Sequence, residues 1–234
     1  MQSRLRHRRR PLSARAASLL RRSRGASLTT LAIDTCLSAL TLAVRREDGE
    51  ILSHTEEIGI GHAEKIAPVA KALFARASVK PGQLRRIGVT VGPGSFMGQR
   101  VGIAFAKGLA MGSGADTVAL TTLEALAATA GWPVAVAIDA RREQVYVQSF
   151  GAGGKPECPV ALLSYAAGRA WLLDYKGRRA GSGVSAADPS LNAEGHWTPS
   201  PEALVSLTEE RHPSPLKTLY LRAPDAKPPS RHPL

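Results

Sequence analysis

Apolar and polar positions set the first boundaries. "LTTLAIDTC", from residue 28, is a continuous apolar run reaching Asp34, as a strand buried on both faces reads. "LTLAVRR" and "ILSHTEE" flank Glu47-Asp48-Gly49-Glu50. Asp-Gly between alternating segments predicts a hairpin, because its turn positions need positive φ. "EKIAPVAKALFARA" places Ile66, Val69, Ala70, Leu73, Phe74 and Ala77 at helical spacing, so a helix is expected over 63–77. Pro68 either kinks its first turns or marks its start. "RIGVTVG" alternates Ile87, Val89 and Val91 as a strand does, then leads into "GPGSFMGQRVGIAFAKGLA" from Gly92 to Ala110. The expected order is β-β-β-α-β-α.

The pattern then restarts. "LAIDT" at 31–35 returns as "VAIDA" at 136–140, each an apolar strand ending in Asp, then a turn, then a second strand. This predicts a duplicated, two-lobed α/β fold. Asp34 and Asp139 would end strands beside a shared cleft, where α/β sheets bind ligands. Three divisions are expected: a tail at 1–27, a first lobe at 28–115 and a second lobe with its tail at 116–234.

The glycine segment matches no phosphate or nucleophile pattern. Gly98 comes one position late for a dinucleotide fingerprint, Lys107 sits between Ala106 and Gly108 rather than in Gly-Lys-Ser/Thr, and Ser95 has Pro93 two residues before it. Pro93-Gly94-Ser95 reads better as a turn with Ser95 as helix N-cap. A helix start can still hold an anion. Gly98, Gly102, Ala106 and Ala110 recur every four residues and share one side, with Gly108 and Gly112 on a lean neighbouring row. Val101, Phe105 and Leu109 on the opposite side suit the sheet. Each helical glycine costs up to about 1 kcal/mol relative to alanine. Either tight packing within the lobe or a close helix–helix interface with another protein would give so many a purpose.

Charge is unevenly spread. The 234 residues carry a net +12, but nine arginines (Arg4, Arg6, Arg8, Arg9, Arg10, Arg15, Arg21, Arg22, Arg24) lie in the first 25. The remaining 22 basic and 19 acidic residues nearly balance. The tail reads as a leader outside the fold or a misassigned start, against the sharper readings of an RNA-binding arm or a transit peptide. Two distant cysteines, Cys36 and Cys158, offer neither a disulfide framework nor a zinc pattern and suit a cytoplasmic setting. No run approaches the roughly 18 apolar residues of a membrane helix.

"LAIDTC", "GHAEKIAP", "GPGSFMGQRVGIAFAKGLA", "AIDARREQVY" and "LYLRAPDAKP" together resemble the TsaB (YeaZ) family of bacterial tRNA threonylcarbamoyladenosine biosynthesis proteins, over about residues 29–228. Met97 departs from the threonine more usual there. The resemblance implies an actin-like fold of the sugar kinase and Hsp70 type. It also implies a non-catalytic role, as the partner that a TsaD-type catalytic paralog requires, with a small TsaE-type ATPase joining. It further implies pairing, as a homodimer in isolation or with TsaD, through the two first-lobe helices. Expected interface residues are therefore His62, Ile66, Val69, Leu73, Gly98, Arg100, Gly102, Ala106 and Lys107. Gly102→Leu is expected to block pairing while leaving the fold intact. Contact with tRNA is expected only indirectly.

Little chemistry is expected besides. The position one helical turn after His62 is Ile66, where a metal site would need a second histidine, and His54, His196, His212 and His232 supply no such spacing. No metal and no catalytic residue are assigned. The interlobe cleft would be lined by Asp34, Thr35, Ser95 and Asp139. Thr35-Cys36-Leu37 lacks the glycine of a phosphate-cradling turn, so at most a weakly held nucleotide is expected there. An actin-like ATPase or small-molecule kinase is the alternative reading.

Overall fold

The computed structural model describes residues 28–222 except Glu194 and His196. The arginine-rich segment, His196, His232 and the end of "LYLRAPDAKP" lie outside the described residues.

The first lobe is built from β1 (Thr30–Asp34), β2 (Ala39–Arg45), β3 (Ile51–Glu57), α1 (His62–Arg76), β4 (Arg86–Thr90), α2 (Phe96–Ser113) and β5 (Asp116–Leu120). Its sheet runs β3-β2-β1-β4-β5. The hairpin pairs are antiparallel, and β1-β4 and β4-β5 are parallel. Gly49, at φ 93°, supplies the expected turn between β2 and β3. Helix α1 runs through Pro68 without a break.

Alternation along β1 decides which layer each residue joins. Leu31 and Ile33 enter a core shared with Ile66, Leu73 and Phe74 of α1 and with Ile103 and Ala106 of α2. Ala32 points the other way, toward Leu204, Val205 and Leu207. These last come from the final helix, α6 (Pro201–Glu210). Each such fully buried aliphatic side chain contributes about 1.5–3 kcal/mol.

The second lobe follows α3 (Thr122–Ala130). It comprises β6 (Val134–Asp139), β7 (Gln144–Phe150), β8 (Ala161–Ser164), α4 (Tyr165–Asp174), β9 (Arg178–Ala180) and α5 (Ser182–Ala187). Its sheet order, β8-β7-β6-β9, matches β3-β2-β1-β4 of the first lobe, and the β-β-β-α-β-α order repeats. The duplication inferred from "LAIDT" and "VAIDA" is thus the plan of the chain. Asp34 and Asp139 end the equivalent strands β1 and β6.

The lobe boundary expected at residue 115 needs correction in two places. Strand β5, starting at Asp116, completes the first sheet. Helix α6, near the end of the chain, also belongs to the first lobe: Arg86 donates to the carbonyls of Thr208 (2.9 Å) and Glu209 (2.7 Å). A Cβ on Gly88 would stand 1.9 Å from Thr208 Oγ1. After α6 the chain crosses the molecule as an extended strap. Ser214 N donates to Thr117 O (2.7 Å) and Leu219 N to Val91 O (2.8 Å). Leu216 is buried in the first-lobe core, and Leu221 packs on the second-lobe core, as does Leu37. Arg222 then donates to Ala140 O (3.1 Å) and Gln144 Oε1 (2.5 Å) at the β6–β7 turn.

Candidate functional site

Two regions carry the expected site residues: the turn after β1, and the outward side of α1 and α2.

At the turn, Asp34 is fully buried. Its Oδ1 accepts from Thr90 Oγ1 (2.5 Å) and from the Cys36 amide (3.1 Å). Its Oδ2 is buried without a hydrogen-bond partner among the described residues, as are Gln99 Oε1 and Thr122 Oγ1. Burial pushes the Asp34 carboxyl above the usual carboxylate range, against the opposing effects of Thr90, the Cys36 amide and the charge of His62. The Cys36 thiol donates to Thr90 O (3.3 Å) and is pushed up to about 12 by its own burial and the neighbouring Asp34.

Asp139 repeats part of this arrangement in a more open setting. Its Oδ1 accepts from the Arg141 amide (2.8 Å), the counterpart of Cys36 N on Asp34, and from the Tyr165 hydroxyl (3.0 Å). Residues Arg141, Arg142 and Glu143 all take positive φ in the turn that follows. Gly183 is pressed on the main chain of β6, where a Cβ would lie 2.8 Å from the carbonyl carbons of Ala137 and Ile138.

The first-lobe turn does not fit a phosphate. Ser95 N donates to Cys36 O (2.7 Å), Gly98 N to Ser95 Oγ (3.1 Å) and Gln99 N to Ser95 O (3.0 Å). Ser95 is the expected N-cap of α2. A Cβ on Gly94 would stand 2.2 Å from Cys36 O, and one on Gly98 1.9 Å from Thr35 O. Thr35 Oγ1 in turn donates to Gly98 O (2.7 Å). The start of α2 thus fills the space between the two segments, and these amides are spent on the chain's own oxygens. Among the described residues no cluster of three His, Cys, Asp or Glu side chains could hold a metal.

Most of the expected interface residues are inside the lobe. Ile66, Leu73, Gly98, Gly102 and Ala106 are buried, and His62 is buried with Nε2 donating to Ala39 O (3.3 Å). His62 ties the start of α1 to β2. A Cβ on Gly102 would meet Thr35 Oγ1 at 2.4 Å and Val89 Cγ2 at 3.2 Å. The row Gly98, Gly102 and Ala106 therefore lets α2 approach its own sheet, and Gly102→Leu would disturb the fold. Val101, Phe105 and Leu109 flank that row and are only partly buried against the core.

Of the expected residues, Arg100 and Lys107 are exposed and Val69 is half-buried. Val69 lines a groove of about 220 Å³ with His54, Pro68, Ala72, Leu73 and Arg76. The outward side of α2 carries Phe96, Met97, Ala104, Gly108 and Met111. Met97 is 64% and Met111 88% exposed. Gly108 and Gly112 face open space: a Cβ on either would meet nothing within 4 Å. The lean outward surface is this second glycine row. Sequence spacing revealed both rows but gave the sheet-facing side to Val101, Phe105 and Leu109; the structure instead turns Gly98, Gly102 and Ala106 toward the sheet and leaves those three only partly buried.

Duplicated β-β-β-α-β-α lobes, with the aspartate-bearing strand at the centre of each sheet, define an actin-like α/β protein. Residues 53–163 match the family model for TsaD, tRNA N6-adenosine threonylcarbamoyltransferase. The chain is 33% identical over 205 residues to an uncharacterized protein of Mycobacterium tuberculosis, covering 86% of this chain and 94% of that one. It is 35% identical over 122 residues to the tRNA threonylcarbamoyladenosine biosynthesis protein TsaB of Bacillus subtilis, covering 51% of this chain and 53% of that one. The structure of YeaZ from Pseudomonas aeruginosa superposes with a TM-score of 0.68 at 27% identity, covering 78% of this chain and 91% of that one. These matches support the TsaB (YeaZ) family for this chain.

Proposed function

We propose that this protein acts in tRNA threonylcarbamoyladenosine biosynthesis as a non-catalytic subunit that binds and activates a TsaD-type threonylcarbamoyltransferase. The named relatives support the pathway. The observation that carries the non-catalytic role is the occupied turn: the start of α2 lies on Thr35 and Cys36 where an actin-like ATPase would cradle phosphate. With Asp34 fully enclosed, the lobe keeps the framework of such enzymes and uses it as a scaffold.

The outward sides of α1 and α2 carry the partner contact in this reading, with Val69, Arg100 and Lys107 accessible and the buried expected residues supporting the helices from behind. Binding favours the competent arrangement of the catalytic subunit, with a TsaE-type ATPase joining the assembly in the cytoplasm.

Reconstitution tests it. Purified TsaD-type and TsaE-type proteins, tRNA and the threonylcarbamoyl donor are combined with and without this chain. Threonylcarbamoylation is expected only when the chain is present, and the isolated chain is expected to hydrolyse ATP at background rate. Modification at full rate without the chain would overturn the reading. ATP turnover by the isolated chain that is lost in Asp34→Asn would assign it to the ATPases instead.

A further inference from the structure

The strongest concentration of charge in the chain is its first 25 residues, with nine arginines, no lysine and no acid. The surface where this segment joins the fold lies within the described residues. Leu28 is 42% exposed there. Its carbonyl accepts from Thr30 Oγ1 (3.2 Å), which also donates to Glu209 Oε1 (3.0 Å). Arg85 N donates to Thr29 O (2.9 Å). This is the end of the first sheet at which β1, β4 and β5 begin and β2 turns into β3.

Nine positive charges need a partner of opposite sign, and this end of the fold does not supply it. Glu209 pairs with Arg45, and Asp48 and Glu50 each pair with Arg46 (2.8 Å). Glu47, Asp116 and Glu210 are left without an ion pair among the described residues. Three carboxylates do not neutralise nine guanidinium groups. Arg85, beside the junction, adds to the excess. It is exposed, and its guanidinium donates to the carbonyls of Gly82 (3.5 Å) and Leu84 (3.4 Å) with no ion pair among the described residues. The charge is therefore left for an external polyanion.

The chemistry favours nucleic-acid phosphate over an anionic lipid surface. Every cation of the segment except the histidine is an arginine, whose planar fork meets phosphate oxygens in pairs. The segment has no Trp, Phe or Tyr, the rings that seat a basic segment at a lipid interface. We propose that residues 1–25, continued by Arg85, bind the phosphate backbone of RNA, and that the RNA is tRNA, held by charge and not by base sequence. The choice of tRNA rests on the partner-subunit reading above. It gives this chain a direct contact with the nucleic acid, where family resemblance implies an indirect one.

The test starts from the chain isolated from its own cell, whose intact mass shows whether residues 1–25 are present. Affinity for an unmodified tRNA transcript is then measured over a series of salt concentrations. The full chain, residues 26–234, Arg85→Gln and, as a remote exposed control, Lys155→Gln are compared, with thermal melts to establish that each is folded. Each phosphate neutralised adds about 0.7–0.9 to the fall of log affinity with log salt, so nine contacts bound the slope at about −6 to −8. The full chain is expected to bind with a steep slope within that bound. Residues 26–234 are expected to bind at least tenfold more weakly at low salt with a nearly flat slope, and to keep their affinity for the TsaD-type protein. Arg85→Gln is expected to flatten the slope by about one, and Lys155→Gln to leave it unchanged. Equal tRNA affinity of the full and shortened chains overturns the proposal, as does a native chain that begins beyond Arg24. Binding to phosphatidylserine vesicles in place of tRNA gives the segment to a membrane and overturns it too. In all three cases the partner-subunit reading stands. A full chain that binds tRNA through this segment but does not bind the TsaD-type protein keeps the RNA contact and overturns that reading.

Discussion

Gly98 lies directly against the main chain of Thr35: a Cβ at Gly98 would stand 1.9 Å from the Thr35 carbonyl oxygen. One turn later, Gly102 faces the hydroxyl of the same threonine. Two glycines of α2 thus hold the turn that carries Asp34, and the lack of side chains brings helix and turn close enough to exclude anything between them. The glycines that resemble a docking stripe in the sequence are what closes this end of the lobe.

That contact and the open row beside it should respond oppositely to one methyl group. Gly102→Ala pushes a Cβ to 2.4 Å from Thr35 Oγ1, and overpacking of this kind costs about 1–3 kcal/mol. Gly108→Ala meets nothing within 4 Å and should stabilise the helix by about 0.5–1 kcal/mol. Urea unfolding of the two variants beside the wild type reads both signs. Equal stabilities would refute the packing assigned to α2.

The two thiols should separate chemically. Cys36 is 1% exposed, and its thiol is pushed up to about 12. Cys158 is partly exposed, its sulfur accepting from Ser149 N (3.4 Å). Since thiolate is the reactive form, iodoacetamide at neutral pH should label Cys158 and leave Cys36 unmodified until the chain unfolds. Mass spectrometry of the native and urea-treated protein checks this. Prompt native labelling at Cys36 would contradict the closure of the turn.

Asp34 gives the stability a pH dependence of unusual sign for an aspartate. Its folded carboxyl titrates above the ordinary range because it is buried. The folded state therefore holds a proton that the unfolded chain releases from about pH 4 upward. This contribution is full below that value and is lost as pH rises through the raised folded value. Asp34→Asn removes it, so the wild type should lose stability relative to the variant as pH rises from about 4 through the raised folded value. Denaturant unfolding at a series of pH values measures the difference. Parallel curves would show that the carboxyl titrates normally.

The framework was legible in the sequence because two periodicities and one repeat carry it. The alternation in β4, the spacing of Ile66, Leu73 and Phe74, and the echo of "LAIDT" in "VAIDA" each report which side of an element meets the core. The orientation of α2 was not legible. Its small residues occur on two adjacent rows, and a glycine is equally at home against a carbonyl or against water. Only the positions of Thr35 and Val89 distinguish Gly102 from Gly108. The strap was hidden for a different reason. Residues 211–222 have no period, and their bonds go to Thr117, Val91 and Ala140 on distant elements. The lobe boundary was misplaced because α6 returns to a sheet begun some 170 residues earlier, and local pattern carries no record of such a return.

The strap should hold the lobes in register. Leu216 is 4% exposed in the first-lobe core. Leu221 packs on the second-lobe core, and Arg222 ties the β6–β7 turn. Leu216→Ala removes a buried aliphatic group, for which about 2–5 kcal/mol is usual. Arg222→Ala removes only the terminal tie and should cost less, because hydrogen bonds to a charged group are worth about 1.5–3 kcal/mol and this one is partly exposed. Hydrogen exchange separates the effects. In Leu216→Ala the amides of Ala119 and Leu219, which bond to Ser214 Oγ and Val91 O, should exchange faster. In Arg222→Ala those amides should keep their protection, while Gln144 N, bonded to Arg141 O in the turn that Arg222 clasps, loses it. Unchanged exchange at all three amides in both variants would mean that the lobes hold together without the strap.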